Sequence, residues 1–156
     1  MKVYKVGLIG CGRIGTLLEK DKLRGKPCTH AGGFNALSNA KIVAGCDIDR
    51  SRLKSFGMHW NVNRLYEDYK EMLRQEKVDV ICVATWTNLH APMVMDAARS
   101  GVKAIFCEKP IALNPRDGHQ MVHFCKKQNV QLTINHERRW DSYYQKARQI
   151  IKTGKI

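Results

Sequence analysis

Five apolar, β-rich runs punctuate the chain: VYKVGLIG (3–10), KIVAGCD (41–47), VDVICVAT (78–85), VKAIFCE (102–108) and VQLTIN (130–135). Most are continuously apolar and lack the in–out alternation of a strand with one wet face. Such runs need cover on both sides, which parallel strands between layers of helices receive. The stretches between them change period. YEDYKEMLRQ (66–75) and NLHAPMVMDAARSG (88–101) carry apolar residues three and four apart, the second closed by Gly101. In NPRDGHQMVHFCKKQN (114–129), Asn114 offers a cap and Pro115 takes the first helical position, where a missing N–H costs nothing. DSYYQKARQIIKTG (141–154) opens at Asp141 and stops at Gly154. Strand alternating with helix on this scale predicts right-handed crossovers and a doubly wound parallel sheet, three layers deep (α/β/α). With 156 residues the chain suffices for one well-cored domain and not for two. KDKLRGKPCTHAGGFNAL (20–37) interrupts the first crossover, and Gly25, Pro27, Gly32 and Gly33 mark it as a loop inserted between two helical pieces.

Composition excludes more than it identifies. No apolar run approaches the roughly 20 residues that cross a bilayer, and MKVYKVGLIGCG breaks at glycines before it could form a signal-peptide core. A cytoplasmic protein without a membrane partner is the expectation. Cys11, Cys28, Cys46, Cys82, Cys107 and Cys125 stand singly, at least 17 positions apart, so no Cys-x-x-Cys pair suggests a zinc site or a redox couple. No metal is expected. Cys46, Cys82 and Cys107 fall inside apolar runs, where a free thiol acts as a small buried hydrophobe. The net charge of +13 would attract a polyanion such as nucleic acid. The lysines and arginines are nevertheless spread along the chain, with no dense block and no aromatic-rich basic strand. A solvated basic surface, or one part of a larger protein with an acidic remainder, accounts for the charge more simply.

VGLIGCGRIGTLLEK sets Gly10, Gly12 and Gly15 as Gly-x-Gly-x-x-Gly, directly behind a strand and opening a helix. Gly10 permits the tight turn, Gly12 lets the main chain approach a diphosphate, and Gly15 lets helix and strand pack closely. The helix N-terminus behind them presents free N–H groups to an anion, and Arg13 and Ile14 join the expected cofactor contacts. The next strand ends in an acidic residue, Asp47, whose carboxylate can accept hydrogen bonds from both adenosine ribose hydroxyls and would repel a 2′-phosphate. Gly15 and Asp47 are 32 residues apart where about 20 is usual; the inserted loop accounts for the excess. Asp49 reads as a turn or cap residue. Arg50 and Arg52 lie just beyond and could receive a 2′-phosphate, so NAD is favoured and NADP stays open. Strand, glycines, helix and acidic residue together predict a Rossmann dinucleotide-binding fold, with a purely structural glycine turn as the alternative.

These pieces resemble the glucose–fructose oxidoreductase / inositol dehydrogenase family (Gfo/Idh/MocA) over essentially the whole chain. The resemblance is carried by VGLIGCGRIG, IVAGCDID, VICVATWTNLHAPMVMDAARSGVKAIFCEKPIALN and INHERRWDSYYQKARQIIKTGKI. It implies a nicotinamide-dependent oxidoreductase acting on sugars, polyols and related hydroxy compounds. It assigns Lys109, of the Glu-Lys-Pro element, to the substrate hydroxyl and its proton. A solvated lysine is a poor base at neutral pH, so that role needs surroundings that disfavour the ammonium. It assigns Glu108 to the cofactor ribose, and Pro110 to the rigidity of the turn, where a cis Lys109–Pro110 bond fits. Thr85, Trp86, Asn88 and His90 follow a strand on the carboxyl edge where such sheets bind ligands, and they join the cofactor contacts. His90 also reads as a helix N-terminal residue with no contact, and Trp86 stands where the family often has proline. Arg139 is assigned to cofactor or substrate; His136 reads equally as a structural hydrogen-bonding group.

The resemblance further implies a second α/β domain that carries the substrate pocket and most of an oligomer interface, and that is absent here. Residues 1–140 are then the Rossmann NAD(P)-binding domain, and 141–156 begin the connection. A shortened polypeptide, a fragment of a longer product and a stand-alone domain all fit. The expected partners are NAD(H) and, only with the absent domain, a small sugar or polyol, the full-length form being a homo-oligomer. Two other classes remain at this point: a non-catalytic NAD(H)-sensing module with an idle Lys109, and a basic nucleic-acid-binding domain.

Overall fold

The computed structural model describes residues 2–154. Six strands, β1 (Tyr4–Ile9), β2 (Ala40–Cys46), β3 (Arg64–Tyr66), β4 (Val80–Val83), β5 (Ala104–Glu108) and β6 (Gln131–Asn135), form one sheet in the order β3-β2-β1-β4-β5-β6. Every neighbouring pair is parallel. The chain winds outward from β1 through β2 to β3, then returns to β4 on the other side of β1. All carboxyl ends therefore share one edge, with a crevice between the β1 and β4 exits. This is the doubly wound order expected from the sequence, a Rossmann fold.

The helices are α1 (His30–Asn35), α2 (Arg50–Trp60), α3 (Tyr69–Gln75), α4 (His90–Arg99), α5 (Pro115–Lys127) and α6 (Ser142–Lys152). Strand side chains alternate between two cores, as the pleat requires. Val6, Leu8 and Cys82 pack with Ala31, Leu53 and Phe56 of α1 and α2. Ile9, Ile81, Val83, Ile105 and Cys107 pack with Met72, Val94, Met121 and Cys125 of α3, α4 and α5. Caps behave as their chemistry dictates: Asn114 accepts from the Asp117 N–H at 2.9 Å with Pro115 at the first position of α5, and Asp49 accepts from Ser51 and Arg52 N–H at 2.9 and 3.1 Å. No helix among the described residues is long and apolar enough to cross a membrane.

Three departures from the sequence reading have physical causes. The stretch read as helix over 66–75 is split: Tyr66 closes the edge strand β3, and Asp68 then caps α3 by accepting from the Lys70 N–H. A three-residue edge strand, Arg-Leu-Tyr, is too short and too polar to announce itself by period. Helix α2 also escapes the period test, because its buried residues are only Leu53, Phe56 and Gly57 amid polar neighbours. The third departure concerns the helix behind the glycines. Thr16 N–H reaches Gly12 O (3.0 Å) in one α-type bond, but Leu17 and Leu18 then reach back five residues to Gly12 and Arg13 (3.1 and 3.0 Å), and 17–20 tighten into a 3-10 turn. The excursion ends at His30 and Ala31, whose N–H groups return to Ile14 O and Gly15 O, each at 3.0 Å. The insertion is thus spliced into the crossover helix one turn after it starts, with α1 as the second piece. Lys155 and Ile156, the end of the expected connection, lie outside the described residues.

Candidate dinucleotide site

Each glycine of the loop shows its reason in space. Gly10 has φ +98° and donates to Cys46 O at 2.8 Å, and a Cβ there would lie 2.6 Å from Ala84 O. A Cβ on Gly15 would lie 2.1 Å from Gly10 O, so only glycine lets the turn fold onto the strand end. A Cβ on Gly12 would meet nothing within 4 Å. The open side of Gly12 is the crevice itself. Among the described residues no acceptor takes the N–H groups of Gly12, Arg13, Ile14 or Gly15. These are the orphan donors of a helical first turn, in the arrangement that receives a phosphate. Because the α-helix stops after one turn, these local N–H groups, rather than a long macrodipole, make the site attractive to an anion.

Asp47, just past β2, is buried and fixes the loop. Its Oδ2 accepts from Cys11 N–H at 2.8 Å and its Oδ1 from Asp49 N–H at 2.9 Å. A carboxylate has about four acceptor positions, so two remain for ribose hydroxyls. Arg50 is paired with Glu67 (2.7 Å) and Arg52 with Asp49 (3.3 Å). Ile48, which the sequence reading passed over, is 89% exposed beside Asp47, an apolar side chain held out at the site's edge.

On the other wall, Thr85 is half-buried with its hydroxyl on Met93 Sδ (3.4 Å), while Trp86 (82% exposed) and Asn88 point to solvent. His90, expected as a cofactor contact or as a helix N-terminal residue without one, is enclosed by the protein. It is fully buried, with Nδ1 2.9 Å from Pro110 O and Nε2 3.2 Å from Thr85 O, and so ties the β4 exit to the β5 exit. Lys109 follows β5, exposed, with its side chain unpartnered among the described residues; the Lys109–Pro110 bond is cis. Glu108, expected at the cofactor ribose, is buried. Its carboxylate faces inward, with Oε1 accepting from Asn135 Nδ2 (2.7 Å) and lying 2.8 Å from His30 Nε2, and with Oε2 accepting from the Lys109 N–H (3.1 Å). Burial opposes ionising Glu108, but these donors outweigh it and hold its pKa below the usual carboxylate value. Burial likewise disfavours the His30 imidazolium, yet the Cys82 sulfur and the Glu108 carboxylate outweigh it and raise His30 to about 10. His30 and Asn135 were not foreseen. His30 sits in the segment read as an insertion, and only splicing 18–29 out puts it four residues after Ile14, back in helical register with the glycines.

From Asp47 past β1 and β4 to Lys109 the edge crosses three strand spacings, about 14 Å. Gly10–Gly15, Asp47, Thr85–Asn88 and Lys109 all line that edge. Arg139 lies one strand further, exposed in a 3-10 turn after β6. This layout suits an extended ligand with an anionic centre. The pattern of an oxidoreductase family with an NAD-binding Rossmann fold matches residues 4–136. The chain belongs to the Gfo/Idh/MocA family. The chain is 33% identical over 156 residues to a D-apiose dehydrogenase of Paraburkholderia graminis, covering all of this chain and 38% of that protein. It is 31% identical over 152 residues to a myo-inositol 2-dehydrogenase of Thermotoga maritima, covering 97% of this chain and 42% of that one. Among solved structures, the WlbA dehydrogenase from Bordetella pertussis in complex with NADH and UDP-GlcNAcA superposes with a TM-score of 0.84 at 27% identity, over 98% of this chain and 43% of that one. The chain thus spans about two fifths of the length of these relatives. What it shares with this Gfo/Idh/MocA oxidoreductase family is the NAD-binding fold.

Proposed function

We propose that the chain is the cofactor-binding part of an oxidoreductase that moves a hydride between NAD and the hydroxyl-bearing carbon of a sugar, polyol or related compound. The observation that carries this reading is the run of four unclaimed N–H groups at Gly12–Gly15, opening on space that no Cβ fills. In this reading those groups, two of them on Arg13 and Ile14, receive the diphosphate, Asp47 accepts from the adenosine ribose, and Ile48 lies against the adenine. Thr85, Trp86 and Asn88 line the opposite wall. Arg50 and Arg52 are already paired with carboxylates, so a 2′-phosphate would have to compete for them while facing Asp47, which favours NAD over NADP.

Bound NAD⁺ supplies the hydride acceptor. Lys109, beyond β5, takes the proton of the substrate hydroxyl as the C–H electron pair leaves and the C=O bond forms, and returns that proton in the reverse direction. His90 holds the Thr85 and Pro110 turns together beneath it. Lys109 is exposed, and orientation supplies much of such a rate. A second domain, joined through residues 141–156, would supply the wall that holds the substrate, with Arg139 near the junction. Oligomer contacts belong to that longer form. The 156-residue chain binds NAD(H) and turns over little. The six cysteines are all free thiols, which supports a reducing, cytoplasmic setting.

A titration with NADH and NADPH, followed through tryptophan fluorescence, tests this. The reading requires saturable quenching that is stronger for NADH and diminished in Trp86→Phe. Absence of saturation at millimolar NADH would contradict it, and rapid polyol oxidation by the 156-residue chain would contradict the assignment of the substrate wall elsewhere.

A further inference from the structure

His30 touches both halves of the site. Its backbone N–H donates to Ile14 O at 3.0 Å, within the glycine loop, and its ring nitrogen Nε2 lies 2.8 Å from Glu108 Oε1, beside the Lys109 turn. The other oxygen of the same carboxylate accepts from the main-chain N–H of Lys109 (3.1 Å). One residue therefore connects the main chain that would meet the diphosphate with the main chain that carries the amine.

The insertion is built to keep it there. Glu19, within the excursion, accepts from Thr29 Oγ1 at 2.6 Å and from Cys28 N–H at 3.2 Å, and Thr29 Oγ1 in turn caps α1 by accepting from Gly32 N–H at 3.0 Å. The outgoing limb thus clamps the returning one at the residue before His30. Core packing alone does not explain the choice of residues: well-packed apolar side chains of similar volume are often as stabilising as a buried ion pair. A buried charge pair does define one geometry, and the group it orients here is the turn bearing Lys109.

We propose that His30 is a positioning residue, which through Glu108 sets the backbone of the Glu108–Lys109 turn and so the place of the Lys109 amine relative to a dinucleotide on the glycine loop. This rests on the NAD(H) reading of the site. It acts through Glu108 and touches neither cofactor nor substrate.

The test compares the wild-type chain with His30→Ala, His30→Gln and His30→Asn by amide hydrogen exchange and by NADH titration. His30→Ala should speed exchange of the Lys109 amide about tenfold, with the Ile81 and Ile105 amides little changed, and should weaken NADH binding. Glutamine, whose amide can still reach Glu108, should restore most of both; asparagine, one carbon shorter, should not. Unchanged Lys109 exchange in a folded His30→Ala chain would overturn the proposal. So would equal losses in all three variants spread evenly over core amides, the mark of general destabilisation. If His30→Ala does not fold, the contrast between glutamine and asparagine decides by the same criteria. A wild-type chain that fails to bind NADH would refute the NAD(H) reading, while the exchange pattern would still report on positioning.

Discussion

Replacing Gly12 and Gly15 separately by alanine should uncouple cofactor binding from folding. At Gly12 an added Cβ meets no atom within 4 Å, and the position does not require a positive φ. Alanine there reduces the freedom of the unfolded chain without a native penalty, worth roughly 0.4–1 kcal/mol in favour of the fold. For a domain of this size that is about 1–4 °C in Tm. The same methyl occupies the crevice where a diphosphate would rest against main chain, so NADH affinity should fall at least about tenfold, some 1.4 kcal/mol. At Gly15 the added Cβ lies 2.1 Å from Gly10 O, a backbone atom that cannot rotate away. Alanine there must push the turn off the end of β1, costing about 1–3 kcal/mol as overpacking does. Differential scanning calorimetry and isothermal titration with NADH read both effects. The reasoning is refuted if Gly12→Ala binds NADH like the wild type, or if Gly12→Ala loses as much stability as Gly15→Ala.

Further outcomes follow from the same geometry. Asp47→Asn should loosen the Cys11 and Asp49 contacts and erode the preference for NADH over NADPH, measured as the ratio of the two Kd values. His30, raised from about 6.5 in an unfolded chain to about 10, contributes stability that is complete below pH 6.5 and is lost as pH rises through 10. The difference in urea-unfolding free energy between wild type and His30→Gln should therefore shrink from pH 6.5 to 10. Asp79 is held well below the usual carboxylate range by the Lys5 N–H and by Lys103 and Lys2. Its contribution is present above about pH 4 and fades as pH falls, and Asp79→Asn should flatten that acid limb. Native-state labelling with a thiol reagent should modify Cys28 quickly and the five buried cysteines only on unfolding, since burial, the first cause in each case, raises Cys46 to about 12 and pushes Cys11 and Cys107 further up; fast reaction of two or more thiols would contradict the packing.

The parts legible in the sequence were those with a local signature. Apolar runs marked five strands, most of them continuous because a strand covered on both faces admits no alternation, with the edge strand β6 alternating instead, and Asn114–Pro115 marked the start of α5 because cap and first position each need one residue type. The glycine spacing marked the loop, since positive φ at Gly10 and close approach at Gly15 tolerate little else. The parts not legible depended on partners far along the chain. Glu108 is turned inward by His30 and Asn135, 78 and 27 residues away, and nothing near Glu-Lys-Pro reveals that. His90 reads as a ligand by its place after β4, yet two main-chain carbonyls claim its ring. β3 and α2 carried too few apolar residues for their period to show, although both are fixed by packing against β2.

The central claim is that main-chain N–H groups at the β1 turn hold a dinucleotide diphosphate while Asp47 holds its ribose. A crystal structure of the chain grown with NADH tests it most directly. The account predicts diphosphate oxygens within hydrogen-bond distance of two or more of the Gly12–Gly15 N–H groups, the ribose hydroxyls on Asp47, and the nicotinamide beside Lys109. A dinucleotide bound elsewhere, or a Gly12–Gly15 turn that stays closed to it at saturating NADH, would contradict the account.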